Sequence, residues 1–210
     1  ALPIWVELLG RFERQGIGSF VSMWVDNDPG DPERYLLFVE QSGIGLPDES
    51  YYREDTFADI RAAYVAHLER MFTLAGFSDA ADRAARVFGI ESRIAAAHWD
   101  NVRCRDTHAT YNLTPWADFA SALGPIAAPW RDALDVDDVV FTEVVVRQPS
   151  FIEDVRAVIE SASHDELADW LRWQVIHGLA PYLSDDFSVA NFEFYGKTLS
   201  GTPQQRARWK

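Results

Sequence analysis

Histidines are the residues of this chain best suited to bind a metal ion, and their spacing decides what they can do. A zinc site built on one helix needs two imidazoles about one turn apart and a glutamate beside the first, as in H-E-x-x-H, so that the glutamate can activate the metal-bound water. That pattern is absent, because no histidine is followed by another four residues later. The segment His164–Ala168 reads H-D-E-L-A, and we interpret it as the start of a helix. The five histidines are His67, His98, His108, His164 and His177.

A second group of potential metal ligands lies between residues 98 and 108. Its spacing fits no common zinc pattern, and a site here would need further ligands from elsewhere. We expect instead that Arg103, Arg105 and Asp106 form ion pairs and hydrogen bonds that brace a turn. The four potential ligands are His98, Cys104, Asp106 and His108.

Cys104 is the only cysteine, so no disulfide can form within the chain. A nucleophilic cysteine needs a histidine partner, and His108 is near in sequence. Nothing else in the chain resembles a cysteine protease or an oxidoreductase, so we expect a buried or half-buried structural thiol. The absence of disulfides fits a reducing compartment or a bacterial protein.

Paired carboxylates are common in the chain, but each pair falls at a predicted helix start or in a loop, where negative charge favours the helix dipole. No G-x-S-x-G elbow, P-loop or dinucleotide-binding glycine pattern is present. We therefore predict no catalytic, cofactor-binding or metal-binding residue in this chain. The pairs are Asp137-Asp138, Asp165-Glu166 and Asp185-Asp186.

Late aromatic residues offer one further possibility. Trp170, Trp173 and the segment Phe192–Tyr195 are suited to line a binding groove. Packing in the core is the alternative that we favour, because large aromatic side chains dominate protein interiors.

Composition excludes several classes of protein. Apolar residues make up 48% of the chain and aromatic residues 13%, which is typical of a folded domain and not of a disordered segment. The net charge of −14 disfavours nucleic acid or an anionic membrane as a partner. No run approaches the roughly 18 apolar residues of a membrane span. The compartment stays open between the cytoplasm and secretion from a bacterium.

Apolar periodicity and capping residues predict most of the helices. A first helix is expected over residues 4–15. A second should run from Thr56 to Gly76, with Thr56 and Asp59 as a capping box, and a third from its cap Ser78 to His98. Further along, the predictions are a short helix with Pro115 at its first position, capping boxes at Ser150/Glu153 and Ser163/Glu166, and a final aromatic helix from Phe187 to Tyr195 that Gly201 stops.

Two β-favouring runs, 19–25 and 35–39, flank a dense turn cluster and predict a small hairpin. Residues 139–146 predict one further short strand. The expected fold class is mainly α, a multi-helix domain with a small β-hairpin and one further strand. We expect residues 1–210 to form a single mostly helical domain.

The segment Gly43–Tyr52 reads G-I-G-L-P-D-E-S-Y-Y, which by itself is a turn-rich connector. It also resembles the G-L-P-x-x-x-Y-Y block of the neprilysin-type zinc metallopeptidases, peptidase family M13. Blocks similar to other parts of that family occur in the same order, so the resemblance covers most of the chain. They are Phe20–Asp26, Tyr35–Gln41, Glu91–Ala95, Tyr111–Thr114, Leu171–Trp173, Phe194–Gly201 and Arg208–Trp209.

This resemblance implies the helical lobe of a peptidase in which a second, thermolysin-like lobe carries H-E-x-x-H, a later E-x-x-D and the zinc. None of those ligands or catalytic groups has a matching position here, so zinc is implied for the parent enzyme and no cofactor for this chain. The helical lobe of such enzymes covers the active site and limits entry to peptides and small proteins. The scarcity of cysteine resembles bacterial, especially actinobacterial, members.

Both ends of the sequence suggest a piece of a longer protein, because it starts within a helical pattern and stops at Arg206–Lys210 without a helix stop signal. As partners, we expect a peptide substrate bound through the missing catalytic lobe, and self-association through apolar surface that the missing lobe would cover. The rival interpretation is a complete, non-catalytic helical module that binds peptides or a protein. A small enzyme that uses Cys104 or the loop from His98 to His108 is a third.

Overall fold

The structure is a computed structural model that describes residues 2–206. Helices dominate this part of the chain, which confirms the expected mainly α class. The helices are α1 (Leu2–Arg14), α2 (Ser50–Arg53), α3 (Ala58–Leu74), α4 (Ala80–Ala97), α5 (Asn101–Cys104), α6 (Trp116–Leu123), α7 (Ala127–Leu134), α8 (Pro149–Ser161), α9 (His164–Leu179) and α10 (Asp185–Asn191). Short 3-10 helices cover Asp55–Phe57, Gly124–Ile126, Asp138–Phe141 and Ala180–Tyr182, and a π-helix covers Phe192–Leu199.

The β structure is one mixed sheet with the strand order β1-β2-β4-β3. β1 and β2 form the expected hairpin, and β4 is the expected further strand, parallel to β2. The sequence did not predict β3, which pairs antiparallel with β4. The strands are β1 (Val21–Asp28), β2 (Asp31–Gln41), β3 (Leu113–Pro115) and β4 (Glu143–Val146).

Side chains alternate between the two faces of this sheet. One face joins the main core through residues such as Val39 and Val144, which are fully buried. The other face carries a small separate cluster in which Phe38 stacks on Trp24 with ring centroids 5.6 Å apart. The sheet is therefore buried on the side of the helices and covered by a thin aromatic layer on the other.

The helical core forms around α3, α4 and α9, whose apolar stripes meet. Tyr64, Leu68 and Trp173 are fully buried there. Elsewhere, α1 lies close to α7, because Gly10 has no side chain: a Cβ at this position would be 2.5 Å from the carbonyl oxygen of Trp130. The late aromatics Trp170, Trp173 and Phe194 are buried, which agrees with packing in the core, and Phe194 also lines a surface pocket between α3 and the π-helix.

The capping predictions had mixed outcomes. Ser163 and Glu166 form the expected capping box at the start of α9. The other two boxes were wrong. A 3-10 turn containing Thr56 precedes α3, and Phe57 is its N-cap. Ser150 lies inside α8 and is not its N-cap. Its hydroxyl instead accepts a hydrogen bond from the Trp99 indole at 2.7 Å, which is a tertiary contact.

Two more helix starts differ from the prediction by one residue each. Pro115 is the N-cap of α6 and still pairs with Glu143 in the sheet, so the helix begins at Trp116. α4 begins after Asp79 and not after Ser78. A proline suits the end of an edge strand, since no ladder donor is needed there.

The expected final aromatic helix has two parts. α10 is followed directly by the π-helix, in which Gly196 packs against the ring of Phe192. Gly201 then has φ +65°, which confirms it as the stop. The Arg208–Trp209 block lies outside the described residues. Within residues 2–206, no helix is both long and apolar enough to cross a membrane.

Candidate functional site

The structure separates the residues that sequence reasoning grouped as potential metal ligands. His98 contacts the Ser42 carbonyl oxygen through Nε2 at 2.9 Å, and its ring meets Phe151 edge-on. Asp106 accepts hydrogen bonds from the backbone amides of His108 and the next residue. Within residues 2–206, no three or more His, Cys, Asp or Glu side chains are placed to hold a metal ion. The described residues therefore do not fit zinc, and we derive no metal-dependent step for them.

The expected ion pairs of Arg103 and Arg105 with Asp106 are absent from the described part of the chain. The Arg103 guanidinium lies instead over the Trp99 ring, 3.3 Å from its centroid. Asp106 braces the turn by accepting hydrogen bonds from backbone amides. Two interactions therefore hold this segment: the Arg103–Trp99 cation–π contact and the hydrogen bonds to Asp106.

Cys104 is half-buried, as expected for a structural thiol. Side-chain amides of Gln41 and Gln148 donate to its sulfur at 3.5 and 3.6 Å, and the thiol donates to the Trp99 carbonyl. Burial raises the pKa of the Cys104 thiol, which keeps it protonated and lowers its reactivity as a nucleophile.

The carboxylate pairs act locally at element ends. Asp137 caps a 3-10 turn through the amide of Val139, and Asp138 pairs with Arg131. Asp165 is exposed in the first turn of α9, and Asp185-Asp186 occupies the first turn of α10. These placements match the expected stabilisation of helix starts by negative charge.

The most developed polar site was not singled out from the sequence: it surrounds Glu91 on α4, whose side chain is fully buried. The hydroxyl of Tyr52 donates to Oε2 of Glu91 at 2.8 Å, and that of Tyr64 donates to the same oxygen at 2.9 Å. Its sequence signal was available, because Glu91 lies one residue from the core residue Ile90 and three before Ile94, on the apolar stripe of the helix.

The Gly43–Tyr52 loop closes over this carboxylate. The backbone amides of Gly45 and Leu46 donate to the Tyr52 hydroxyl at 3.1 and 3.2 Å. Gly43 has φ +89°, and its carbonyl accepts a hydrogen bond from the indole of Trp170. Gly43, together with the glycine and the second tyrosine of the G-L-P-x-x-x-Y-Y pattern, therefore has a structural role in holding the loop on α4.

The electrostatics of the Glu91 site follow from its burial. Desolvation raises the pKa of Glu91 to about 7, and the two tyrosine hydrogen bonds offset only part of that effect. Burial also raises the pKa of Tyr52 and of Tyr64 well above the usual range, and a charged Glu91 adds to it. The phenols therefore stay neutral donors, and the carboxyl group is the member of the site that titrates near neutral pH.

A second polar layer lies behind this site. His67 is buried and stacks on Phe194 with ring centroids 5.0 Å apart, and His177 stacks on Trp173. Burial lowers the pKa of His67 to about 3 and also lowers that of His177, so both imidazoles are neutral. Five buried polar atoms in these layers lack a hydrogen-bond partner, which is costly unless solvent reaches them. They are Glu91 Oε1, His67 Nε2, Trp173 Nε1, His177 Nδ1 and the Tyr195 hydroxyl.

A buried ion-pair cluster joins α4 to α9. Asp169 is 1% exposed and receives Arg83, Arg86 at 2.7 Å and Arg172 at 2.7 Å. Arg83 also stacks over Phe77, 4.4 Å from the ring centroid. Its role is structural, because each oxygen of the carboxylate is occupied by a guanidinium.

An apolar groove lies along the seam between α1 and α9, closed at one end by the turn between α3 and α4. Its cavity measures about 350 Å³, and Arg172 is its charged lining residue. The lining residues of α1 and α9 recur at helical spacing, so each helix presents one apolar face to the groove. The groove is lined by Trp5, Leu8, Phe12, Ala75, Phe77, Ala168, Leu171, Arg172, Val175 and Ile176.

Comparison with known proteins gives a consistent picture. The family model Peptidase_M13_N, described as "Peptidase family M13", matches residues 3–210. The inhibitor complex of the zinc metalloprotease Zmp1 from Mycobacterium tuberculosis matches 99% of this chain at 38% identity, with a TM-score of 0.93. The chain covers 32% of that protein.

Curated relatives show the same partial coverage. Human endothelin-converting enzyme-like 1 is 26% identical over 209 residues, which is 94% of this chain and 27% of the relative. The neutral endopeptidase of Lactobacillus helveticus is 31% identical over 101 residues, or 42% of this chain and 15% of the relative. The chain thus spans about a quarter of the length of the first of these.

Proposed function

Because this chain belongs to peptidase family M13, we propose that it forms the helical lobe of a zinc metalloendopeptidase that hydrolyses peptides. The observation that carries the proposal is the match of 99% of the chain to one third of Zmp1, with a TM-score of 0.93. The catalytic zinc belongs in this proposal to the remainder of the longer protein, because the described residues offer no ligand set. The chain alone is then inactive.

The proposed task of the lobe is to cover the active site and to restrict the size of substrates. Enclosing the reaction in a cavity excludes folded proteins and bulk water, and a hinge between lobes admits and releases peptides. A lobe with this task must be stiff. The buried Asp169 cluster and the tightly packed α1–α7 pair are the features of this chain that supply stiffness.

We propose that the apolar groove between α1 and α9 is a contact with the remainder of the longer protein. Its lining is apolar except for Arg172, and exposed apolar surface is where proteins commonly bind a partner. In the isolated chain, the same groove favours self-association, so the chain forms a homo-oligomer at high concentration. Replacing Val175 with Glu places a charge in the groove and is expected to return the chain to a monomer in light scattering. Unchanged self-association of that variant contradicts this role.

Substrate restriction is tested with the longer protein that contains these residues. We expect it to cleave short fluorogenic peptides and to leave folded proteins intact, while the same proteins are cleaved after unfolding. The matched measurement uses a pair of engineered cysteines that locks the two lobes together, which should stop turnover reversibly until a reductant is added. Equal cleavage of folded and unfolded substrates would contradict a covering lobe.

The rival function, a non-catalytic module that binds peptides, has its own readout. Calorimetric titration of the isolated chain with the substrates of the longer protein measures it directly. Micromolar binding by the isolated chain, together with no change in peptidase activity when the lobes are locked, would favour the binding module.

A further inference from the structure

The carboxyl group of Glu91 is unusual because it is buried without a cationic partner. Within residues 2–206, no ion pair reaches it. The titratable groups that face it are neutral phenols from three elements: Tyr52 of α2, Tyr64 of α3 and Tyr195 of the π-helix. His67 and His177 lie one layer further away, around the ring of Trp173.

The arginines of α4 do not compensate this charge, because they are engaged on another side of the helix. Arg86 binds Asp169, and Arg93 binds Glu166 at 2.7 Å. An ionised Glu91 therefore has only neutral hydrogen-bond donors around it, chiefly the two phenols, and a buried carboxylate without a cationic partner is costly.

The same carboxyl group holds the loop that connects the sheet to the helices. β2 ends at Gln41 and α2 begins at Ser50, so the loop spans this junction. Its amides at Gly45 and Leu46 bind the Tyr52 hydroxyl, which in turn binds Glu91. A change at the carboxyl group thus reaches the loop backbone through one phenol.

We propose that Glu91 is a proton-controlled latch for the Gly43–Tyr52 loop. With its proton, the carboxyl group lies stably in the apolar interior and the loop is closed on α3 and α4. Without the proton, the carboxylate gains solvation when the loop opens, and the unpartnered polar atoms of the second layer give entering solvent hydrogen-bonding sites. The latch is a property of this chain and does not depend on the proposed peptidase function.

The direction of the pH effect follows from linkage. Burial places the pKa of Glu91 at about 7 in the closed state, whereas a solvated glutamate has the ordinary value of 4.5. Closure is therefore fully favoured below pH 4.5, weakens as pH rises towards 7, and changes no further above it. The opening equilibrium constant rises by up to about tenfold per pH unit within that window.

Hydrogen exchange of the Gly45 and Leu46 amides tests the latch. In the wild-type chain, we expect their protection, corrected for intrinsic exchange, to fall by about tenfold or more between pH 5.5 and 7.5. Glu91→Gln keeps an acceptor for both phenols and removes the proton equilibrium, so its protection should not change with pH. Glu13→Gln, at a half-buried acid on α1, should retain the wild-type fall.

Two results would overturn the proposal: protection of these amides that is independent of pH in the wild-type chain, or an equal fall in Glu91→Gln. If Glu91→Gln does not fold, the carbon-13 shift of the Glu91 carboxyl group in the wild-type chain gives the answer without a mutation. A titration midpoint near 7 supports the latch, and a midpoint below 5 overturns it.

Discussion

The hydroxyl of Tyr64 occupies the space that a side chain at Gly45 would need. A Cβ at that position would overlap the phenol oxygen and lie 2.8 Å from the ring carbon that carries it. Because the Tyr64 hydroxyl is fixed by its hydrogen bond to Glu91, it cannot move away without breaking a buried contact. The second glycine of the loop is therefore required by packing against α3.

Replacing Gly45 with Ala should destabilise the chain by about 2 kcal/mol or more, because overpacking adds to the loss of a buried hydrogen bond. The matched control is Gly89→Ala in the exposed face of α4, where a Cβ meets nothing within 4 Å. That control should gain about 0.5–1 kcal/mol from helix propensity. Urea unfolding measures both, and equal stability of the two variants would refute the packing argument.

Replacing Asp169 with Asn should cost about 3–5 kcal/mol, because three guanidinium groups lose the buried carboxylate that pairs them. Asp165→Asn, four residues earlier on the same helix and 81% exposed, is the control and should change stability by less than about 0.5 kcal/mol. The measurement is the midpoint of urea unfolding, compared between variants whose m-values are equal. A cost for Asp169→Asn below that of its control would show that the cluster contributes nothing.

Glu13 provides a second pH-dependent contribution to stability. Burial raises its pKa to about 7, although the Trp130 indole donates to it at 3.0 Å. The folded state thus binds the proton more tightly than the unfolded state, and the contribution is full below pH 4.5 and lost as pH rises to 7. Neutral buried His67 and His177 act in the opposite direction, since their stabilising contribution is lost as pH falls below 6.5.

The difference between wild type and Glu13→Gln isolates the effect of Glu13 from that of the histidines. We expect the free energy of unfolding of the wild type, relative to this variant, to fall by roughly 3 kcal/mol between pH 4.5 and 7. Parallel stability curves for the two proteins would show that folding does not raise the pKa of Glu13.

Cys104 should react slowly with thiol reagents. Burial keeps its thiol protonated, and amides of Gln41 and Gln148 cover the sulfur. At pH 8 we expect modification of the native chain by Ellman's reagent to be at least about tenfold slower than that of the urea-unfolded chain. Because this is the only cysteine, the absorbance change reports on it alone. Equal rates would indicate an accessible, reactive thiol.

Periodicity was sufficient to locate the long helices, because their buried residues recur at helical spacing: Tyr64, Leu68 and Met71 lie on one face of α3 and are fully buried. Capping residues were less informative. Ser163 has its expected local partner Glu166, whereas the Ser150 hydroxyl is engaged by Trp99, 51 residues away. A tertiary contact of that kind leaves no local pattern in the sequence.

The buried polar sites were missed for the same reason. Glu91 and its hydrogen-bond donor Tyr52 are 39 residues apart in the sequence, and Asp169 and its partner Arg83 are 86 residues apart. No short motif therefore contains either site. β3 has three residues, too few for alternation to be visible. The absence of catalytic and metal-binding residues in the chain stays a prediction, as does its organisation as a single domain.

Zinc content and peptide hydrolysis, measured side by side on the isolated 210-residue chain and on the longer protein that contains it, test the central claim most directly. The account predicts bound zinc and chelator-sensitive cleavage of peptides for the longer protein, and neither for the isolated chain although it is folded. Stoichiometric zinc with metal-dependent turnover by the 210 residues alone would contradict it.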